Sequence, residues 1–138
     1  MRFAEWEPVY EAVLADFGYG RGADERARDL LADLLSGPGL DPGGLDIADG
    51  TVAVAGGADR LDRDLALVRE ADAVVAASDA AARLRAHGLA VDCMVTDLDK
   101  APDTVRELTD EGTPVAVHAH GDNRAKLRSV VPGLDADA

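Results

Sequence analysis

The chain opens with two stretches whose apolar residues recur at helical spacing. In the first stretch, six large apolar residues lie three or four positions apart or side by side: Phe3, Trp6, Tyr10, Val13, Leu14 and Phe17. That stretch stops at Gly18, and four leucines between Leu30 and Leu35 repeat the pattern before the turn-rich connector SGPGLDPGG. The spacing predicts an N-terminal helical pair over 1–36.

Beyond residue 45 the pattern changes to short apolar runs, each followed by a stretch with helical periodicity. The runs TVAVA, AVVAA, VDCMV and PVAVHAH occupy 51–55, 73–77, 91–95 and 114–120. Short apolar runs separated by helices are typical of a parallel sheet with right-handed crossovers. We predict a single domain, 1–138, with a βα core over 45–131. Its fold class is α/β, Rossmann-like and three-layered, with a mostly parallel sheet of at least four strands preceded by the helical pair.

Polar residues follow each predicted strand, in the turns GGAD, SDAA, TDLDK and HGDNR. In a parallel sheet these turns meet at the carboxyl edge, where open α/β sheets bind ligands. Asp97 and Asp99 are two residues apart and point to one side while the chain stays extended, as do His118, His120 and Asp122. Paired carboxylates suit Mg²⁺, which completes its shell with waters and substrate phosphates. The edge therefore predicts a magnesium and nucleotide site.

Cations and glycines complete this predicted site. Arg124 begins a predicted helix, whose free N–H groups favour anions, and Lys126 follows it. The candidate nucleotide- and phosphate-binding residues are Gly56, Gly57, Ser78, Asn123, Arg124 and Lys126. Structural alternatives remain, because GGAD lacks the full G-x-G-x-x-G spacing, Ser78 could cap a helix and Asp99 could close an Asx turn.

The charge balance narrows the choice of partners and source. The chain has 27 acidic and 14 basic residues, a net charge of −13, and two lysines. Dissolved salt screens the repulsion between the carboxylates of such a surface, so the composition favours a halophilic source over an ordinary acidic protein. Long nucleic acids are poor partners for a surface of the same charge. A single cysteine excludes an internal disulfide. No signal peptide or membrane span is apparent, so we expect a cytoplasmic protein without a membrane partner.

Two motifs resemble known families. His-x-His-x-Asp is similar to the zinc motif of metallo-β-lactamase-like hydrolases, but those sites need further histidines and a different fold. The segments MVTDLDK and GTPVAVHAHGDN closely resemble the archaeal 6-hydroxymethyl-7,8-dihydropterin diphosphokinase family, which is distantly similar to the catalytic domain of thiamine diphosphokinase. The resemblance runs from the first helix to the end of the chain. It implies that a diphosphoryl group moves from ATP to the hydroxymethyl group of a pterin, releasing AMP, in tetrahydromethanopterin or folate biosynthesis.

The same resemblance implies roles for particular residues. Asp97, Asp99 and Asp122 match the Mg²⁺-binding acids, and His118 or His120 would orient or deprotonate the pterin hydroxyl as the catalytic group. The family continues into further strands after the fourth βα unit, so we expect an incomplete catalytic domain. Three alternatives stay open: a thiamine diphosphokinase-like enzyme, a glycosyltransferase-like enzyme acting on a sugar nucleotide, and a non-catalytic nucleotide-binding remnant. A homo-oligomer is compatible with all of them.

Overall fold

The fold was analysed in a computed structural model, which describes residues 2–35 and 49–134. The predicted connector SGPGLDPGG lies outside these residues. The helices in chain order are α1 (Phe3–Phe17), α2 (Arg21–Leu34), α3 (Leu65–Arg69), α4 (Asp79–Ala86), α5 (Pro102–Asp110) and α6 (Arg124–Val130), with 3₁₀ turns at Leu61–Arg63 and Val131–Gly133. No helix in the described part of the chain has the length and apolar character needed to cross a membrane.

The predicted helical pair is confirmed as α1 and α2. Gly18 ends α1 in the left-handed conformation at φ 69°, which glycine adopts without steric cost. The guanidinium of Arg21 then ties the two helices together. It donates to Glu7 of α1 at 2.8 Å, to Glu25 of α2 at 2.9 Å, and to Glu11 of α1. Two of these charge-assisted hydrogen bonds, to Glu7 and Glu11, connect α2 to α1, and the third lies within α2.

The four predicted strands form one sheet with all neighbours parallel, in the order β1-β2-β3-β4. Their bounds are Val52–Ala55, Ala73–Ala77, Cys93–Thr96 and Val115–Val117. The fourth strand ends three residues earlier than the run 114–120 predicted. The N–H of His118 still donates to the carbonyl of Thr96 on β3 at 2.8 Å, but the carbonyl of His118 and the N–H of His120 bind the side chain of Asn123.

One face of the sheet carries the hydrophobic core. Ala55, Val74, Ala76 and Met94 point to this face and join a buried cluster with residues from α2 to α6, including Leu84, Leu108 and Leu127. Consecutive strands that lie side by side and connect by right-handed crossovers place their helices on the same face. The predicted α/β fold class is therefore confirmed: an all-parallel four-stranded sheet preceded by two helices, consistent with a three-layer fold.

The opposite face of the sheet is apolar and largely uncovered by the described residues. Val54, Val75 and Cys93 are register neighbours on this face, followed by Val95 on β3. Val54 is 80% exposed and Val95 is 41% exposed. Since parallel sheets are normally covered on both faces, the described residues provide the sheet and one helical layer.

Candidate active site

Strained backbone marks the carboxyl edge of the sheet. Four non-glycine residues in the described part of the chain have positive φ, and three of them lie in the loops after β2 and β3: Ser78, Leu98 and Ala101, at 52°, 65° and 50°. The N–H of Ser78 donates to the carbonyl of Val95 at 2.8 Å, which holds this conformation in place. Such strain costs free energy and concentrates at functional sites. The strained residues therefore lie at the same edge of the sheet where the sequence predicts a site.

The loop after β3 is a tight turn that presents two carboxylates. The Leu98 side chain is only 3% exposed, and its N–H donates to the hydroxyl of Thr96 at 3.0 Å. Asp97 Oδ1 accepts the N–H of Asp99 at 3.1 Å. An Asx turn is therefore present, although Asp97 rather than Asp99 supplies its side chain. With Leu98 anchored in the core, Asp97 is half-buried and Asp99 is exposed.

Asp99 makes an ion pair that crosses to the next helix. Its Oδ1 lies 2.5 Å from Lys126 Nζ on α6. This hydrogen bond holds the pKa of the Asp99 carboxyl below its usual range, so the group is ionised at neutral pH. The pair brings a predicted metal ligand and a predicted phosphate ligand into direct contact.

The segment 118–123 after β4, here called the histidine loop, carries both predicted catalytic histidines. The rings of His118 and His120 are tilted, with centroids 5.6 Å apart. Asn123 is 1% exposed and organises the loop. Its Nδ2 donates to the carbonyls of Asp97 at 2.9 Å and His118 at 2.8 Å, and its Oδ1 accepts the N–H of His120 at 3.1 Å. Both amide hydrogens of Asn123 are thereby used within the protein. In this structure Asn123 joins the loops of β3 and β4, and the nucleotide contact expected from the sequence stays a prediction.

The loops after β1 and β2 meet through a glycine. A Cβ on Gly57 would lie 2.4 Å from Asp79 Oδ1, so a larger residue there would displace this carboxylate, whereas Gly56 faces open space. Arg83 of α4 donates to the carbonyl of Gly57 at 3.1 Å. Lys100 Nζ lies 3.5 Å from Asp79 Oδ1. These contacts bring the loops of β1, β2 and β3 together at one end of the sheet.

Asp79 and Lys100 were missed by the sequence interpretation. Asp79 was considered only as part of the turn SDAA, and Lys100 was given no role. A signal for Lys100 existed in the composition, because the chain has two lysines and both stand at this edge, each paired with a carboxylate. Of the other predicted residues, Asp122 is exposed in the turn before α6 and Arg124 is half-buried at its first position.

The donor atoms at the edge suit a hard cation. Within residues 2–35 and 49–134, no three acidic, histidine or cysteine side chains are gathered closely enough to hold a metal ion by themselves. Mg²⁺ does not need such a cluster, since one or two carboxylates with waters and substrate phosphates complete its octahedral shell. Asp97 and Asp99 offer carboxylate oxygens of this kind, provided that Asp99 exchanges Lys126 for the metal.

Comparison with known proteins identifies relatives along nearly the whole chain. The chain is 33% identical over 138 residues to a protein of Methanothermobacter thermautotrophicus named 6-hydroxymethyl-7,8-dihydropterin pyrophosphokinase, covering 97% of this chain and 60% of that protein. Proteins of the same name from Methanocaldococcus jannaschii and Pyrococcus furiosus are 27% and 34% identical over 143 and 139 residues. Those matches cover 97% and 95% of this chain but 59% and 58% of the relatives. No family model matches the chain.

These matches confirm the resemblance that TDLD and HAHGDN indicated. The chain spans roughly three fifths of the length of the relatives it matches. Over almost all of its residues, the chain is similar to archaeal proteins named 6-hydroxymethyl-7,8-dihydropterin pyrophosphokinase.

Proposed function

We propose that the chain acts in the transfer of a diphosphoryl group from ATP to 6-hydroxymethyl-7,8-dihydropterin, with AMP as the second product. The observation that carries this proposal is the similarity to three proteins of that name over at least 95% of the chain. The carboxyl edge supports it independently, since it gathers acids, lysines and histidines where α/β sheets bind nucleotides.

Asp97 and Asp99 are the groups that would hold Mg²⁺, with Asp122, which lies in the histidine loop, as a third acid. The Asx turn keeps Asp97 Oδ1 on the N–H of Asp99, which leaves Oδ2 of Asp97 for a ligand. Once bound, the metal ion would neutralise charge on the phosphate oxygens. Ionised Asp99 is already in the protonation state that metal binding requires.

Lys126, Lys100 and Arg124 would bind the phosphates. Lys126 and Lys100 each rest on a carboxylate in this structure, at 2.5 Å from Asp99 and 3.5 Å from Asp79. These pairs are 44% to 62% exposed on the lysine side, so they exchange readily with a phosphate that carries more negative charge. The loops after β1 and β2 would lie next to the nucleotide, with Gly56, Gly57 and Ser78 in contact with it.

The histidines would act on the pterin. In the proposed reaction the hydroxyl oxygen of the pterin forms a bond to the β-phosphorus, while the bond from that phosphorus to the α,β-bridging oxygen breaks and AMP leaves. The hydroxyl proton passes to the imidazole of His118 or His120. Asn123 binds the carbonyl of His118 and the N–H of His120, so it holds the main chain between the two histidines, whose ring centroids lie 5.6 Å apart.

We place the protein in a salt-rich cytoplasm. A net charge of −13 with two lysines supports this setting, because dissolved salt screens repulsion between separated carboxylates. The same charge argues against long nucleic acids as partners.

The identity of the nucleotide product tests the proposed reaction. Incubation with ATP, Mg²⁺ and 6-hydroxymethyl-7,8-dihydropterin should yield AMP and the pterin diphosphate in equal amounts, resolved by anion-exchange chromatography. Omitting either the pterin or the metal ion should abolish both products. ADP as the product would exclude diphosphoryl transfer. Mg²⁺-dependent ATP binding without any turnover would support a nucleotide-binding part that lacks catalysis.

A further inference from the structure

A carboxylate of the N-terminal helical pair reaches the histidine loop. Asp24 lies in the first turn of α2, 97 residues before Gly121 in the chain, and its Oδ1 accepts the N–H of Gly121 at 2.9 Å. Its Oδ2 accepts the hydroxyl of Tyr10, on α1, at 2.7 Å. One side chain therefore connects α1, α2 and the loop that carries His118 and His120.

The two surfaces fit closely at this point. A Cβ on Gly121 would lie 2.6 Å from Cβ of Ala23 and 3.4 Å from Asp24 Oδ1, so only glycine allows the loop to approach α2 this far. The Tyr10 hydrogen bond has the largest effect on the pKa of the Asp24 carboxyl and lowers it. Burial, the next largest effect, raises it, but the Gly121 N–H and the nearby His120 and His118 also act to lower it, so the pKa is below its usual range. Asp24 is thus an ionised acceptor at neutral pH.

Other contacts already hold the helices in place. Arg21 joins α1 to α2 through Glu7 and Glu11, and α2 packs on the core through Ala27, which is 0% exposed. α2 also packs against α6. The bond from the histidine loop to Asp24 is therefore additional to the contacts that hold α1 and α2 in place.

We propose that Asp24 is a positioning residue, which with Tyr10 fixes the histidine loop and makes the helical pair part of the active site. Asn123 holds this loop from the side of β3, through the main chain of His118 and His120. Asp24 holds Gly121 of the same loop from α2. Between these two anchors the histidine rings have a fixed backbone. The two anchors together, Asn123 and Asp24, are called the clamp below. The inference rests on the proposed function only where it gives the histidines a catalytic task; the clamp itself is independent of that function.

Amide hydrogen exchange measured by NMR on the full chain tests the clamp. In Asp24→Ala, exchange at Gly121 should accelerate about tenfold or more, while amides in β2 and β3 stay as protected as in the wild type. Asp24→Asn retains Oδ1 as an acceptor and should rescue most of the protection. Tyr10→Phe, which frees only Oδ2, should give a smaller acceleration at the same amide and serves if Asp24→Ala does not fold. Asp29→Ala is the matched control, because Asp29 lies on the same helix, pairs with Arg28 and is 63% exposed.

Steady-state kinetics then link the clamp to the reaction. Asp24→Ala should lower kcat for AMP formation at least tenfold with an almost unchanged KM for ATP, because the cations proposed to bind the phosphates, Lys100, Arg124 and Lys126, lie outside the histidine loop. Unchanged exchange at Gly121, or an equal acceleration throughout the core, would overturn the positioning role. A Gly121 amide that responds as expected in a chain that forms no AMP would keep the clamp and count against the proposed function instead.

Discussion

Asn123→Ala is expected to lower the free energy of unfolding by about 3 kcal/mol. The side chain is 1% exposed and makes three hydrogen bonds to main-chain groups of Asp97, His118 and His120. Its removal leaves two carbonyls and one N–H without partners, and each unsatisfied group that stays away from water costs about 1–3 kcal/mol. The loops of β3 and β4 would also lose their link, so activity should fall together with stability.

Chemical denaturation followed by circular dichroism measures this change. Arg128→Ala, an exposed position on the helix that Asn123 precedes, is the control and should unfold at nearly the wild-type denaturant concentration. Asn123→Asp keeps the acceptor oxygen but turns a second oxygen toward the carbonyls of Asp97 and His118, so it should be destabilised at least as much as Asn123→Ala. Stability of Asn123→Ala within about 0.5 kcal/mol of the wild type would show that the amide does not organise the edge.

Asp97→Asn and Asp99→Asn are expected to have the largest effects on turnover, with AMP formation reduced about 100-fold or more in each. An amide oxygen is a weaker Mg²⁺ ligand than a carboxylate and brings no charge to the site. Folding should be preserved, because the amide oxygen introduced by Asp97→Asn can still accept the N–H of Asp99, and Asp99 itself is exposed. Asp99→Asn also releases Lys126 from its ion pair. We expect turnover to fall even so, because a lysine that is free to bind phosphate does not replace the lost metal ligand.

Turnover measured against Mg²⁺ concentration separates metal binding from other losses. Both variants should need more Mg²⁺ for half-maximal activity than the wild type. Asp103→Asn is the matched control: this carboxylate is 89% exposed in the first turn of α5 and pairs with Arg106. If both Asp97→Asn and Asp99→Asn kept the Mg²⁺ dependence of the wild type, the assignment of these two residues as Mg²⁺ ligands would be wrong.

Much of the architecture could be predicted because the apolar pattern is strong where it decides the fold. The helical spacing of apolar residues continues from Phe3 to Phe17 and again through the leucines up to Leu35, which is long enough to define helices α1 and α2. Four valine- and alanine-rich runs define the strands. The ends of the strands were less certain. The run 114–120 looks extended throughout, yet β4 ends at Val117, and the side chain of Asn123 binds the main chain of His118 and His120.

The candidate site was predictable by location more than by contact. Strand alternation placed Asp97, Asp99, His118 and His120 at one edge, but it could not show that Leu98 turns at φ 65° or that Asn123 is consumed by the backbone. Contacts between distant segments leave no local signal. Asp24 meets Gly121 across 97 residues, and nothing in the sequence RGADERA distinguishes this aspartate from the other acids of α2.

The most direct test of the account is an NMR titration of the chain with a non-hydrolysable ATP analogue, with and without Mg²⁺. The central claim is that the carboxyl edge of the sheet holds a nucleotide through Mg²⁺. Amide shifts should therefore concentrate in 97–101 and 118–124 when Mg²⁺ is present, and should weaken greatly without it and in Asp97→Asn. Shifts confined to α1 or to the uncovered face around Val54, or shifts at the edge that are equal with and without Mg²⁺, would contradict the account.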